Sequence, residues 1–406
     1  MKSSEKSKKA LVEDLLTRGV EDVIELEELR KLLLSDKKLR VKHGIDPTGP
    51  KIHLGRAATL RKLKAFQDLG HKIVLIVGDF TAQVGDPSDK MEKRPMLMAD
   101  DIKRNLKDYR KQLGKIIDFS KVELHFNSKW LKKLNFQEIT ELAESFSVQQ
   151  MLGRRNFKDR YTKREEISLR EFLYPLMQGY DSVAIKADVE IGGSDQLFNL
   201  MAGRTIQKHY GLKEQNILTT EMLDGTDGRK MSTSWGNVIT IMDEPADMFG
   251  KVMSINDGLI GKYALLCTDM SENDIREIER AMKAKELNPR DAKSELAYQI
   301  VSIYHGARKA KKAQKEFTNV FTKKELPEKI DIKILDKKTY SITELLVATG
   351  MAPSKSEARR LIVQGGVHFD GKKILDTEKK IKLSIKTILL QVGKRRFLEV
   401  RSRKSV

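Results

Sequence analysis

An uninterrupted apolar, largely β-branched run, KIVLIVGD at 72–79, constrains this chain more than any other feature. A run without polar alternation reads as a strand covered on both faces. Before it stands RAATLRKLKAFQDLG, where Leu60, Leu63 and Phe66 recur at helical spacing and Gly70 marks a stop. Before that comes a short apolar–polar segment, RVKHGID. Strand, crossover helix and strand in that order predict a parallel α/β sheet. Further candidate strands are VELHFN near 122–127, DVEIGG near 188–193 and NILTTEML near 216–223. Roughly 95 to 185 is otherwise helical in pattern, which predicts an insertion between two halves of the sheet. The first 35 or so residues alternate leucines with charges and read as short amphipathic helices forming a peripheral layer.

Beyond Pro245 the pattern is helical only, carried by ENDIREIERAMKAKE and PRDAKSELAYQIVSIYHGARKAKKAQKEF up to about Phe321. TKKELPEKIDIKILDKKT is charged and weakly patterned, a linker with some strand character. From about Tyr340 a small α+β unit follows. Ser341 with Glu344, and Ser354 with Glu357, have capping-box spacing, and VHFDGKKI carries the Asp-Gly signal of a hairpin. These boundaries divide the 406 residues into 1–240, 241–325, a linker at 326–338, and 339–406. Lys and Arg total 77 against 58 Asp and Glu, a net charge of +19, which points to a polyanionic partner, nucleic acid first, or else to a lysine-rich surface. The single cysteine, Cys267, excludes an intrachain disulfide framework and a thiolate zinc site. An N-terminus without an apolar signal region, and the lack of any uncharged apolar run of about 18 residues, predict a cytoplasmic protein with no membrane span.

Two stretches carry chemistry. DPTGPKIHLGRAAT at 46–59 lies between the first strand of the crossover unit and its helix. There, unpaired helix amides and flexible glycines suit an anion such as phosphate. The stretch is neither a P-loop nor a GxGxxG fingerprint, and alone it also fits a structural His53. DGRKMSTSWGN at 227–237 follows a late strand and places Arg229 and Lys230 in a flexible hydroxyl-rich loop. Such a loop suits charge developing on a leaving phosphate, or a basic surface turn. A third stretch, YPLMQGYD, spaces Tyr174, Gln178 and Asp181 so that a helix puts all three on one face, a polar cluster fit for an amino-acid ligand or a solvated stripe.

HLG after an early strand and KMSTS after a late one resemble the two signatures of class I aminoacyl-tRNA synthetases. GIDPT at 44–48, GDPS at 85–88, YPLMQGYDS at 174–182 and GGSDQ at 192–196 sharpen the resemblance to the tyrosyl members. NPRDAK, YHG and the terminal unit, similar to the small RNA-binding domain of a ribosomal small-subunit protein, extend it over nearly the whole chain. The resemblance implies a Rossmann-like parallel-sheet catalytic domain with a helical insertion, an all-α anticodon-recognition domain and a small α+β RNA-binding domain. It implies activation of L-tyrosine by ATP, with Mg²⁺ arriving on ATP and no protein metal cage, then transfer to tRNA(Tyr), in a homodimer formed through the region near 100–185.

By the same resemblance Thr48, His53 and Lys230 are catalytic, and Asp46, His53, Gly55, Arg56, Gly193, Asp195, Lys230, Met231 and Thr233 bind ATP. Asp86, Tyr174 and Gln178 hold the substrate ammonium, Asp181 the phenol hydroxyl and Gln196 the carboxylate, with Gly44 also in the tyrosine site. In the terminal unit Lys355, Arg359 and Arg360 line one side of a helix that would grip RNA phosphates. Three positions depart from the familiar pattern: Arg56 in place of a histidine, Thr233 in place of a lysine, and Lys42 where many members have a tyrosine. Arg56 or Arg229 is the candidate to compensate for the charge lost at Thr233. A tryptophanyl-tRNA synthetase and a non-catalytic RNA-binding relative are the competing readings.

Overall fold

The computed structural model describes residues 2–47, 49–86, 98–322, 330–393 and 396–403. The chain forms two units, residues 1–306 and 307–406. The first is organised by a six-stranded sheet of β1 (Val20–Ile24), β2 (Arg40–Ile45), β3 (Lys72–Val77), β4 (Val122–Phe126), β5 (Val189–Gly193) and β6 (Asn216–Thr220). Their order across the sheet is β1-β6-β5-β2-β3-β4. All pairings are parallel except β1 with β6. The five strands expected from the sequence are present. The N-terminal stretch, expected to be helical throughout, instead inserts β1 between α1 (Lys2–Thr17) and α2 (Leu26–Leu34). VEDVI has two apolar ends and exposed charges between them, so its signal is that of an edge strand: it becomes a strand because the edge of β6 offers it backbone partners.

Chain order reverses between β5 and β2. In open parallel sheets this switch point opens a crevice at the carboxyl ends of the strands. The β2–β5 pairing covers only Val41↔Val189 and Lys42↔Glu190, whereas β2 and β3 pair from Arg40↔Lys72 through Ile45↔Val77. Beyond Lys42 and Glu190, therefore, β2 and β5 part. α3 (Leu54–Asp68) starts at this crevice and is anchored by Leu60, Leu63 and Phe66, each buried. Burial of such side chains contributes roughly 1.5–3 kcal/mol apiece. On the other side, helix Leu169–Ile185 packs along helix Leu197–His209. Of the stretch expected to be a helical insertion, residues 98–185 are mostly helical and also supply β4 to the sheet edge.

Four helices, Pro245–Val252, Ile260–Cys267, Glu272–Lys283 and Pro289–His305, pack on one another, and the second also packs on α3. They belong to the same unit as the sheet. Gly306, at φ +87°, divides the long helical stretch read from the sequence into Pro289–His305 and Ala307–Thr322.

The second unit contains a five-stranded sheet, β10-β9-β12-β13-β7, and a two-stranded one, β11-β8. The strands are β7 (Ile332–Leu335), β8 (Thr339–Ser341), β9 (Val367–Phe369), β10 (Lys372–Ile374), β11 (Lys380–Lys382), β12 (Ile388–Val392) and β13 (Arg396–Ser402). β7 falls in the segment read as a linker. Ser341 accepts from the Glu344 amide and Ser354 from the Glu357 amide, starting helices Ile342–Ala348 and Lys355–Val363. Asp370 and Gly371 both have positive φ and close the β9–β10 hairpin. Among the described residues no helix is long and apolar enough to cross a membrane.

Candidate active site

The crevice holds a cavity of about 830 Å³, lined from the carboxyl ends of β2, β3, β5 and β6, from α3 and from the 230–235 loop. His53 caps α3: its Nδ1 accepts the Arg56 amide at 3.3 Å. This bond puts the ring hydrogen on Nε2. A Cβ at position 55 would lie 3.1 Å from His53 Nδ1, so Gly55 lets the ring lie against the helix terminus. Burial, helped by the Arg56 and Lys230 cations, lowers the His53 pKa to about 3. The imidazole is thus neutral at physiological pH, a structural cap and a cavity-lining donor at once.

Arg56 donates to the Tyr109 hydroxyl at 3.1 Å, which in turn donates to the Gly49 carbonyl at 2.9 Å, tying Gly49 to helix Tyr109–Leu113. Arg56 is at the cavity wall; Arg229 pairs with Asp227 at 2.6 Å and lies over the Trp235 ring, outside that wall. Lys230 pairs with Asp195 at 2.8 Å. The loop that carries it is held by Asn237, whose side chain accepts the Ser232 amide and donates to Asp227 and to the Lys230 carbonyl. Met231 is buried, and Thr233 lines the cavity near Gly49. Gly193 and Gly44 line it from the ends of β5 and β2. Thr48 lies outside the described residues, as do Pro87 and Ser88 of GDPS.

The helical spacing of Tyr174, Gln178 and Asp181 does bring them to one wall, with Asp86 and Gln196 nearby. Tyr174 donates to Asp46 at 2.8 Å, and Thr81 donates to the other Asp46 oxygen, also at 2.8 Å. Asp46 thus sits on the Tyr174 side of the cavity. Burial and the Asp46 carboxylate hold the Tyr174 phenol well above its ordinary value. Asp86 accepts from Gln196 at 2.7 Å and Asn199 at 3.3 Å. Asp181 accepts from Trp130 at 2.7 Å and Asn127 at 3.3 Å. Burial pushes its carboxyl up to about 7, against the opposing pull of Lys42, Trp130 and Asn127. Lys42, fully buried, donates to the Gln178 carbonyl, to Ser182 and to Glu190.

The sequence reading missed Asn127, Trp130, Glu190, Asn199, Tyr109 and Asn237. The first two had a usable signal, since NSKW directly follows a strand whose parallel neighbour, β3, ends at the crevice. In the second unit, Arg360 pairs with the half-buried Glu357 at 2.7 Å and Arg359 with exposed Glu378 at 3.6 Å, and both arginines are exposed beside exposed Lys355. Among the described residues no group of three or more His, Cys, Asp or Glu could hold a metal ion.

Residues 34–322 match the family described as tRNA synthetases class I (W and Y). The chain belongs to that family. Residues 316–400 match the tyrosine–tRNA ligase SYY-like C-terminal domain. A tyrosine–tRNA ligase of Thermotoga maritima is 49% identical over 387 residues, 95% of this chain and 96% of that protein. One of Carboxydothermus hydrogenoformans is 45% identical over 95% and 97%. Among solved structures, a C-terminally truncated mitochondrial tyrosyl-tRNA synthetase of Coccidioides posadasii superposes with a TM-score of 0.59 at 25% identity, covering 77% of this chain and 96% of that one.

Proposed function

We propose that the chain is a tyrosine–tRNA ligase. In its first step the tyrosine carboxylate attacks the α-phosphorus of ATP, giving tyrosyl-adenylate and pyrophosphate. In the second, a hydroxyl of the tRNA 3′-terminal ribose attacks the acyl carbon and AMP leaves. The observation that carries the reading is one crevice with two chemically distinct walls. His53 and Lys230 line it, as do Tyr174, Gln178 and Asp181. The near-full-length ligase relatives support the same reading.

Asp181 accepts the phenol hydroxyl. Phenylalanine would forgo that bond and leave Asp181 only those from Trp130 and Asn127; a hydrogen bond to a charged group contributes about 1.5–3 kcal/mol. Asp86, Tyr174 and Gln178 surround the ammonium, Gln196 directs the carboxylate, and Gly44 leaves room at the end of β2. Gly193 and Asp195 take the ribose, with Asp46, Gly55, Arg56, Met231 and Thr233 completing the ATP site. His53 offers its Nε2 hydrogen to a phosphate oxygen at the α3 N-terminus, where the helix dipole favours an anion. Lys230 balances charge on the leaving pyrophosphate, with Thr48 also assigned to this step. Mg²⁺, entering on ATP, supplies further charge neutralisation through the phosphates' own oxygens. Catalysis is then positioning and electrostatics, with no protein nucleophile.

The region 241–325 reads the anticodon, and 339–406, together with β7 before it, grips tRNA(Tyr) phosphates through Lys355, Arg359 and Arg360. A homodimer forms through the region near 100–185, where Phe136, Val148 and Leu169 are exposed apolar side chains. The protein works in the cytoplasm. ATP–pyrophosphate exchange with tyrosine, tryptophan and phenylalanine tests the assignment. Exchange with tyrosine alone is expected; exchange with tryptophan alone refutes it, and none with any of the three favours a binding protein. Sedimentation showing only monomer at micromolar concentration would overturn the dimer.

A further inference from the structure

Behind the amino-acid wall lies a buried ion pair for which neither the motifs nor the proposed reaction has a role. Lys42 and Glu190 are register partners on the last rung joining β2 to β5, where the crevice opens. Both are 0% exposed. Lys42 Nζ donates to the Gln178 carbonyl at 2.7 Å, Ser182 Oγ at 2.7 Å and Glu190 Oε1 at 2.9 Å. An ammonium has three hydrogens, so all are spent, and Lys42 has none left for a ligand. Nor does it line the cavity, although Gln178, Asp181 and Glu190 do.

Glu190 also accepts Gln178 Nε2 at 3.0 Å, Ser182 Oγ at 3.1 Å and a side-chain N–H of Gln215. Gly203, on the neighbouring helix, makes room for this cluster. A Cβ there would come within 2.9 Å of Ser182 Oγ and 3.0 Å of Glu190 Oε2. An ionised carboxylate only accepts, so it compels the Gln178 amide to turn its NH₂ inward and leaves Oε1 as the atom for a ligand. Lys42 meanwhile holds the main chain of the same residue. A substrate ammonium is donor-only and needs that oxygen; a flipped amide would present N–H against N–H.

We infer that Lys42 and Glu190 are positioning residues that set the Gln178 amide with its oxygen toward the substrate, and so make the pocket select ligands bearing an α-ammonium over deaminated analogues. The inference rests on the proposed tyrosine site. A buried pair is often no more stabilising than apolar residues of equal size. A purely structural role would therefore weaken all ligands alike, whereas this one discriminates between them.

The test is binding calorimetry on the full chain with two probes: tyramine, which has the phenol and the ammonium, and p-hydroxyphenylpropionate, which has the phenol and the carboxylate. In Glu190→Gln, tyramine should bind roughly tenfold more weakly, equivalent to about 1.4 kcal/mol. The propionate should change by less than about twofold. A double variant, Lys42→Gln with Glu190→Gln, removes both charges together and carries the same expectation should the single variant unfold. In pyrophosphate exchange the KM for tyrosine should rise by the same factor with kcat nearly unchanged. Equal weakening of both probes, or no weakening of tyramine, overturns the inference. Failure of the unmutated chain to exchange with tyrosine would instead overturn the functional reading, and the calorimetric comparison would still decide the role of the pair.

Discussion

The Asp181 carboxyl should make tyrosine affinity and fold stability vary with pH in opposite directions. Its pKa is raised from 3.8 to about 7, first by burial and slightly by Glu190, against the pull of Lys42, Trp130 and Asn127. Tyr174 on the same helix is held un-ionised and adds no charge. If the ionised carboxylate is the form that accepts the phenol hydroxyl, the apparent Kd for tyrosine scales as one plus the ratio of protonated to ionised Asp181. With a pKa of about 7, affinity at about pH 6 should be roughly tenfold weaker than at about pH 8. The folded state retains a proton that the unfolded state has lost throughout the range from 3.8 to about 7. Stability is therefore greatest below that window and falls as pH rises through it. The full span corresponds to ~4 kcal/mol, of which roughly 2–3 kcal/mol falls between about pH 5 and pH 8.

Asp181→Asn keeps the shape and removes the charge. Tyrosine Kd by calorimetry and thermal midpoints, both followed against pH, should show the wild type gaining affinity and losing stability as pH rises. The variant should show neither trend, and should be the more stable protein at alkaline pH while binding tyrosine poorly. A wild-type Kd that is flat from about pH 6 to pH 8, or midpoints of the two proteins that run parallel, would refute the reasoning. Asp181 would then be ionised throughout and its hydrogen bonds would outweigh its burial.

Removing the Lys230 charge with Lys230→Met should lower exchange kcat by about 10²–10³ with the tyrosine KM unchanged, the pattern of a group acting on developing charge. Asp195→Asn, which takes away both the proposed ribose acceptor and the partner of Lys230, should raise the KM for ATP in the same exchange assay. Tyr109→Phe cuts the bridge from Arg56 to Gly49 and should cost about 1 kcal/mol of ATP affinity by calorimetry; Arg56→His should do the same, and an unaltered ATP KM in both would remove Arg56 from the site. Replacing Lys355, Arg359 and Arg360 with alanine should weaken tRNA binding and flatten its salt dependence by up to about three charges in filter binding, leaving pyrophosphate exchange unchanged.

The strands that bury both faces were legible because their signal is local: KIVLIV is apolar throughout and became β3. VEDVI was not. Its strand state depends on β6, whose free edge is supplied from near residue 218, and nothing within five residues encodes that partner. Where one stretch contains its own stop, as at Gly70 or Asp370-Gly371, the reading was local again.

The same distinction divides the site. The Tyr174 face comes from helical spacing within one motif, and the nearness of His53 and Lys230 was implied by the resemblance that joined their two motifs; the crevice does bring them together. Lys42 could not be assigned because its meaning lies in Glu190, its partner across the switch point, and in Gln178 and Ser182 of a helix between them in sequence. Read alone, a lysine in a strand next to the signature turn suggests a ligand contact. Its geometry shows the reverse: every hydrogen is consumed by protein, and the charge is directed at how other residues face the cavity. A residue departing from a familiar pattern can thus preserve a pocket's chemistry from behind its wall. For Lys42 the decisive measurement is accordingly which end of the ligand the pocket stops recognising when the pair is neutralised, since a loss of affinity for tyrosine alone would not distinguish a contact from a support.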